Sequence, residues 1–309
     1  MIRVLIATTQ AERERFGPPL EAALAQAGLK AALGTEFAPE EVDYIVYTPT
    51  SGLADFSAFI QTKAVLSLWA GVERIVGNET LTMPLTRMVD PGLTAGMVEW
   101  VAGHVLRYHL DTDIDVCRSD ARWEKHLAPL APERSVVVFG LGALGAAAAQ
   151  TLAGLGFDVS GWSRSAKDIP GIKCLHGDAG LAQALSRAEI AVLLLPDTPD
   201  TTNLFNAQTL AQMPRGTRII NPGRGPLIDD DALLLALAEG HIAHATLDVF
   251  RVEPLPEAHP YWAHPNVTVT PHIAAETRAS SATWVIAENI RRGEAGEPFL
   301  HLVDRTLGY

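Results

Sequence analysis

The chain has 309 residues, 48% of them hydrophobic and 19% charged, with a formal net charge of −12 at pH 7. That length suits two domains of medium size, and the composition suits a large buried core. The acidic balance argues against nucleic acid or a membrane as partner, because both call for a basic footprint; a small anionic substrate, held by a few local groups, stays open.

Residues 2–8 form an apolar run read as a buried first strand rather than a signal peptide. A helix is predicted over 11–28, ending at Gly28, and Val42–Thr48 and Lys63–Trp69 are further apolar runs. This β-α-β alternation with short connections predicts a parallel sheet covered by helices. Residues 94–110 follow as a long helix, with Thr94 as its expected N-cap, of a length suited to connect two domains. A second series begins at Ser135–Phe139, turns through glycines, and continues as helix over Ala146–Leu155. Strands are predicted at Phe157–Trp162, Ile190–Leu195, Thr217–Asn221, Ala245–Val249 and Asn266–Thr270. A last amphipathic helix covers 279–293, and the tail after Gly296 is too short to be a domain, so it is expected to pack on the first one. No apolar stretch approaches the roughly 20 residues of a membrane span. The two cysteines, Cys117 and Cys174, lie in no redox or metal-ligand spacing and predict a reducing, cytoplasmic setting.

The glycine turn, Gly140-Leu-Gly142-Ala-Leu-Gly145, sits between a predicted strand and a predicted helix, the context that dinucleotide binding requires. Gly140 permits the tight turn, Gly142 admits a pyrophosphate close to the backbone, and Gly145 lets helix and strand approach. Ala143 and Leu144 bring N–H groups at the helix N-terminus, where the dipole is positive. Cofactor choice is read at the end of the next strand. Ser163, Arg164 and Ser165 stand where an NAD-preferring site carries an acid, and Arg164 can pair with a 2′-phosphate while the serines donate to it. NADPH is therefore expected over NADH, unless Arg164 is a solvated surface residue.

Three segments carry reactive groups, each after an apolar run: Arg224 in Asn-Pro-Gly-Arg-Gly, Glu253 in Leu-Asp-Val-Phe-Arg-Val-Glu-Pro-Leu-Pro, and His272 in Thr-Pro-His-Ile-Ala-Ala. Reduction of a carbonyl on an anionic substrate needs a proton donor for the oxygen, a group that keeps the donor charged and oriented, and a cation for the carboxylate. His272, Glu253 and Arg224 match those needs in that order. Each alone has a plainer explanation: a loop arginine, a carboxylate bracing the Pro254–Pro256 turn, a hydrogen-bonded loop histidine. The pairs His241/His244 and His259/His264 lack carboxylate company at ligand spacing, so no metal is expected.

Taken together, these segments resemble the D-2-hydroxyacid dehydrogenase family, whose signatures are a glycine turn, an Asn-x-Gly/Ala-Arg-Gly loop, a Leu-Asp-Val-Phe-x-x-Glu-Pro-Leu-Pro segment and a Thr-Pro-His-Ile-Ala segment, all present here in that order. Further cues, similar to the branch of glyoxylate and hydroxypyruvate reductases, are Ser67–Val72, Trp162–Arg164, Leu195–Asp200 and Val303–Tyr309. The resemblance implies two doubly wound α/β domains: a Rossmann cofactor domain, 98–282, inserted into a flavodoxin-like substrate domain, 1–97 plus 283–309. It also implies two lobes with the active site in their cleft, and a homodimer formed through the 94–110 helix.

For the site, the resemblance implies Arg224, Glu253 and His272 as the catalytic set, with Leu195, Pro196 and Thr198 beside the cofactor. Asp248 is expected to contact the nicotinamide amide, and the N–H groups of Ala70, Gly71 and Val72 to hold the substrate carboxylate. Gly71 could equally be a simple turn glycine. Tyr47 and Trp69 depart from the branch pattern and are expected to border the substrate. The activity implied is reduction of glyoxylate and hydroxypyruvate. An NAD-linked dehydrogenase of larger 2-hydroxy acids, or a cofactor-sensing interaction protein of the same fold, are the alternatives.

Overall fold

A computed structural model describes all 309 residues. The chain divides into two compact units, residues 1–93 together with 276–309, and residues 94–275. The sequence had placed these borders at 97/98 and 282/283.

The first unit holds β1 (Ile2–Ala7), α1 (Gln10–Gln26), β2 (Ala31–Gly34), β3 (Tyr44–Tyr47), β4 (Ala64–Ser67), β5 (Leu85–Thr86) and the C-terminal helix, Ala279–Ala295. All strands are parallel, in the order β2-β1-β3-β4-β5. Strand side chains alternate between faces, and here both faces are covered. Tyr44 and Val46 pack with Phe16, Leu20, Ile286 and Ile290 on one side, while Ile45 and Tyr47 pack with Phe56 and Leu81 on the other. After the C-terminal helix the tail returns to the sheet edge, where Val303 donates its N–H to Leu85 and Leu302 bridges Thr86.

In the second unit α2 (Pro91–His109), whose first three residues belong to the first, and α3 (Asp113–Val116) precede β6 (Ser135–Phe139), α4 (Ala143–Gly154), β7 (Asp158–Ser163), β8 (Lys173–His176), α5 (Gly177–Arg187) and β9 (Ile190–Leu193). Then come α6 (Ala207–Leu210), β10 (Thr217–Asn221), α7 (Asp230–Ala238), β11 (Ile242–Leu247) and β12 (Val267–Val269). The seven strands are parallel, in the order β12-β11-β10-β9-β6-β7-β8. Phe139 at the end of β6 stands level with Trp162 of β7 and Leu193 of β9. The chain order reverses between β6 and β9, the switch point at which open α/β sheets bind ligands. Because every strand runs the same way, all the segments after the carboxyl ends of β6, β7, β9, β10, β11 and β12 share one rim.

One helix start differs from expectation. α2 begins at Pro91, and its cap is Asp90, whose carboxyl oxygen accepts the N–H groups of Gly92 and Leu93 at 2.9 and 3.2 Å. Pro91 lacks an N–H where a helix has no use for one, so Thr94 already lies inside the helix. α4 likewise begins at Ala143, directly behind Gly142. No helix is long and apolar enough to cross a membrane. Both cysteines are free thiols.

Candidate active site

The rim of the second sheet gathers the three reactive groups. β10 ends in the buried Asn221, whose side chain shapes the turn that follows. Its Oδ1 accepts the Gly223 N–H at 3.1 Å and its Nδ2 donates to the Arg224 carbonyl at 3.0 Å. Arg224 thus emerges in extended backbone, φ −144° and ψ 143°. The turn lies against the segment after β11 so closely that a Cβ at Gly225 would come within 2.0 Å of the Phe250 carbonyl carbon. Only glycine allows that approach.

The segment after β11 presents Glu253. Its Oε1 accepts the Phe250 N–H at 2.9 Å and its Oε2 meets His272 Nδ1 at 2.8 Å. Partial burial pushes this carboxyl up, but hydrogen bonds from His272 and Phe250, with the nearby charges of His272 and Arg224, hold it below its ordinary value of 4.5. Glu253 therefore remains an acceptor for the imidazole over the whole neutral range, and the bond at Nδ1 leaves Nε2 as the nitrogen free to face a substrate. The imidazole is half exposed.

His272 has a left-handed backbone, φ +53°, a conformation that costs a non-glycine residue roughly 1–2 kcal/mol. Asp248 opposes that cost. Its carbonyl accepts the His272 N–H at 2.8 Å. Its carboxyl group accepts the Thr270 hydroxyl at 2.5 Å, the Ile273 N–H at 2.9 Å and the Ala274 N–H at 2.8 Å. Asp248 has no exposed surface. It is enclosed, and its carboxyl group accepts from the loop that carries His272.

The glycine turn follows β6. Gly140 has φ +106°, and a Cβ there would meet the Leu194 carbonyl at 2.4 Å; one at Gly145 would meet the Gly140 carbonyl at 1.8 Å. At Gly142 a Cβ would meet nothing within 4 Å, and no side chain caps α4. The N–H groups of Ala143 and Leu144 thus open on space bounded by close-packed backbone, which fits a pyrophosphate. Along the same rim, the Ser163 hydroxyl is buried and donates to the Ser165 carbonyl at 2.8 Å. Arg164 reaches Asp200 at 3.3 Å. The Leu195–Thr198 segment is closed by Thr201, which accepts the Thr198 N–H at 2.9 Å and donates to the Pro196 carbonyl at 2.7 Å. The sequence reading assigns no role to Asn221, the first residue of the quoted Asn-Pro-Gly-Arg-Gly, or to Thr201, one residue past the Leu195–Asp200 motif.

The substrate residues expected outside this rim lie in the first unit. Tyr47 is buried against Phe56, the rings 5.7 Å apart and edge to face. Trp69 carries Arg74 over its ring, and its carbonyl accepts the Met88 N–H. The next three N–H groups, of Ala70, Gly71 and Val72, donate to no acceptor in the chain. The four histidines considered for metal are used elsewhere: His241 on the Leu210 carbonyl, His244 on Tyr108, His259 and His264 on backbone N–H groups two residues on.

A family model described as D-isomer specific 2-hydroxyacid dehydrogenase, NAD binding domain, matches residues 104–274. A glyoxylate/hydroxypyruvate reductase A of Serratia proteamaculans is 40% identical over 259 residues, covering 80% of this chain and 82% of that protein. A D-isomer specific 2-hydroxyacid dehydrogenase of Xanthobacter autotrophicus Py2, solved in complex with NADPH and MES, is 42% identical. It superposes with a TM-score of 0.93 over 100% of this chain and 99% of that one. An NADPH-dependent glyoxylate/hydroxypyruvate reductase of Sinorhizobium meliloti, solved with NADP and sulfate, is 35% identical, with a TM-score of 0.84 over the same shares. The arrangement of Arg224, Glu253 and His272 behind a dinucleotide turn thus stands in a chain that belongs to the D-2-hydroxyacid dehydrogenase family.

Proposed function

We propose that this protein reduces small 2-keto acids, glyoxylate and hydroxypyruvate, to 2-hydroxy acids with NADPH. The observation that carries the reading is the His272 Nδ1 to Glu253 Oε2 hydrogen bond of 2.8 Å, which aims the second imidazole nitrogen away from its carboxylate. Bound NADPH would supply hydride to the carbonyl carbon. His272 gives its Nε2 proton to the carbonyl oxygen as negative charge builds there, and Glu253 stabilises the imidazole before that step. In the reverse direction the neutral ring takes the proton back. Arg224 pairs with the substrate carboxylate, and the N–H groups of Ala70, Gly71 and Val72 are further donors to it.

The second unit is the cofactor domain in this reading and the first the substrate domain. Gly140, Gly142 and Gly145, with the N–H groups of Ala143 and Leu144, receive the pyrophosphate, and Leu195, Pro196 and Thr198 border the cofactor. Arg164 and the Ser163–Ser165 turn receive the 2′-phosphate, exchanging the contact with Asp200 for a more highly charged partner. Tyr47 and Trp69 would set the size of the accepted keto acid. A cytoplasmic homodimer is part of the proposal. Its support is the segment after α2, where Val116, Trp123, Leu127 and Leu130 are 78, 93, 94 and 73% exposed, a density of bare apolar side chains that a second copy would cover.

Absorbance at the nicotinamide band, with NADPH or NADH against glyoxylate, hydroxypyruvate, pyruvate and phenylpyruvate, tests the activity. Oxidation of NADPH by the two small keto acids is expected, with NADH slower. His272→Ala and Arg224→Ala should each lose about 100-fold or more in kcat/KM; either variant within threefold of wild type would remove the assignment. Light scattering after gel filtration reads the dimer.

A further inference from the structure

Between Phe250 and Glu253 the family signature leaves two positions open, and in this chain the first of them is Arg251. The residue is exposed, yet its guanidinium is engaged by the protein. It crosses from the Glu253 segment to the segment that follows Arg224, where it donates to the Ile228 carbonyl and, at 3.4 Å, to the Pro226 carbonyl. It also donates to the Asn203 side chain and lies 3.4 Å from the Asp230 carboxylate. Asp230 is fixed in turn by the buried Tyr261, whose hydroxyl donates to it at 2.9 Å. The two segments thus meet twice: backbone on backbone at Gly225 and Phe250, and through the fork of Arg251 one residue further on.

We infer that Arg251 is a positioning residue, which fixes the Glu253 carboxylate against His272 by locking the 250–253 segment to the 224–228 segment. This inference rests on the reading of Glu253 given above. Glu253 is held at Oε1 by a single backbone donor, the Phe250 N–H. Any shift of the 250–253 backbone moves that donor and the carboxylate together, away from an imidazole whose own loop is fixed separately by Asp248. The guanidinium has five donors in a rigid plane and satisfies several acceptors at once. A lysine has one nitrogen, so it can replace the contacts that Nη2 makes but not the additional approach of Nε to Asp230.

The test is a double-mutant cycle in the full-length protein: wild type, R251A, E253Q and the double variant, with R251K alongside. Each is assayed for kcat/KM with NADPH and glyoxylate, for NADPH affinity by fluorescence, and for its thermal midpoint. R251A should lose about 10- to 100-fold in kcat/KM, the penalty typical of a slightly misplaced catalytic group, with NADPH affinity within twofold of wild type and R251K in between. In the E253Q background the same R251A change should cost less than threefold, because the group it positions is already gone. Additive losses would overturn the inference, as would R251A within threefold of wild type; a merely structural role lowers the thermal midpoint without this coupling. Should R251A fail to fold, R251K carries the same cycle. E253Q as active as wild type would refute the role of Glu253 and this inference with it, whereas an impaired E253Q beside an unimpaired R251A would overturn this inference alone.

Discussion

Replacing Asp248 with asparagine tests how the His272 loop is built. The carboxyl group now accepts three hydrogen bonds, two at Oδ1 and one at Oδ2, with no exposed surface around it. Asparagine has one oxygen. If that oxygen keeps Thr270 and Ile273, the new amide presents N–H groups to the Ala274 N–H, and a donor faces a donor. The loss is one hydrogen bond to a charged group, about 1.5–3 kcal/mol, and the stranding of a buried amide adds about 1–3 kcal/mol. The sum, about 2.5–6 kcal/mol, is more than the roughly 1–2 kcal/mol cost of the left-handed turn at His272, so the loop should leave that conformation. Two readings follow from one variant. The free energy of unfolding in urea should fall by about 2.5–6 kcal/mol if the loop stays ordered, or by less if it detaches, and detachment should lower kcat/KM by about 100-fold. Amide exchange at Ile273 and Ala274 tells which has happened. A D248N protein within 0.5 kcal/mol and within threefold of wild type, with both amides still protected, would refute the reasoning.

Three further outcomes are expected. Gly142→Ala should leave the thermal midpoint within about 2 °C of wild type, because its Cβ meets no protein atom, yet weaken NADPH binding at least tenfold by occupying the ligand's space; calorimetry and a fluorescence titration read the two halves. Gly225→Ala should do the reverse of a local effect, destabilising the fold by about 3 kcal/mol or more as the segments after β10 and β11 are forced apart, visible as a lowered midpoint of denaturation. The third concerns His244, which burial first, and then Arg107 and other neighbouring charges, push down from 6.5 to about 4. The unfolded chain binds this proton first, so the stability it contributes is complete above pH 6.5 and is lost as pH falls towards 4. Allowing for its partial exposure the slope amounts to about 1–2 kcal/mol, and His244→Gln should flatten it in denaturation series taken across that range.

The parts of this fold that could be read in advance are those buried on two faces. β3, β4, β6, β9 and β10 lie inside their sheets, and each is an apolar run bounded by turn residues. β2 and β8 escaped notice because they are edge strands: every residue of Ala31–Gly34 is only half buried, and only Leu175 of Lys173–His176 is buried. Neither has a periodic pattern to detect. β5, the other edge of the first sheet, has two residues. The reactive groups were legible for a related reason. Arg224 and Glu253 follow the interior strands β10 and β11 and His272 follows the edge strand β12, so the strand pattern itself marks the three as neighbours on one rim. Their supports were not legible. The part played by Asp248 depends on a carboxyl group meeting three donors 22 to 26 residues away, and Arg251 looks like any surface arginine until the segment across from it is known.

The parallel run of all seven strands in the second sheet has a practical side. With Arg224, Glu253 and His272 on the carboxyl rim, the opposite rim is left to short returns, among them those at Gly156, Gly216 and Gly240, each with positive φ just ahead of β7, β10 and β11. These returns are the natural ports for engineering. A fluorophore, an affinity handle or a grafted peptide placed there would be separated from the reacting groups by the full length of a strand. It would inherit the rigidity of the sheet without sharing its work.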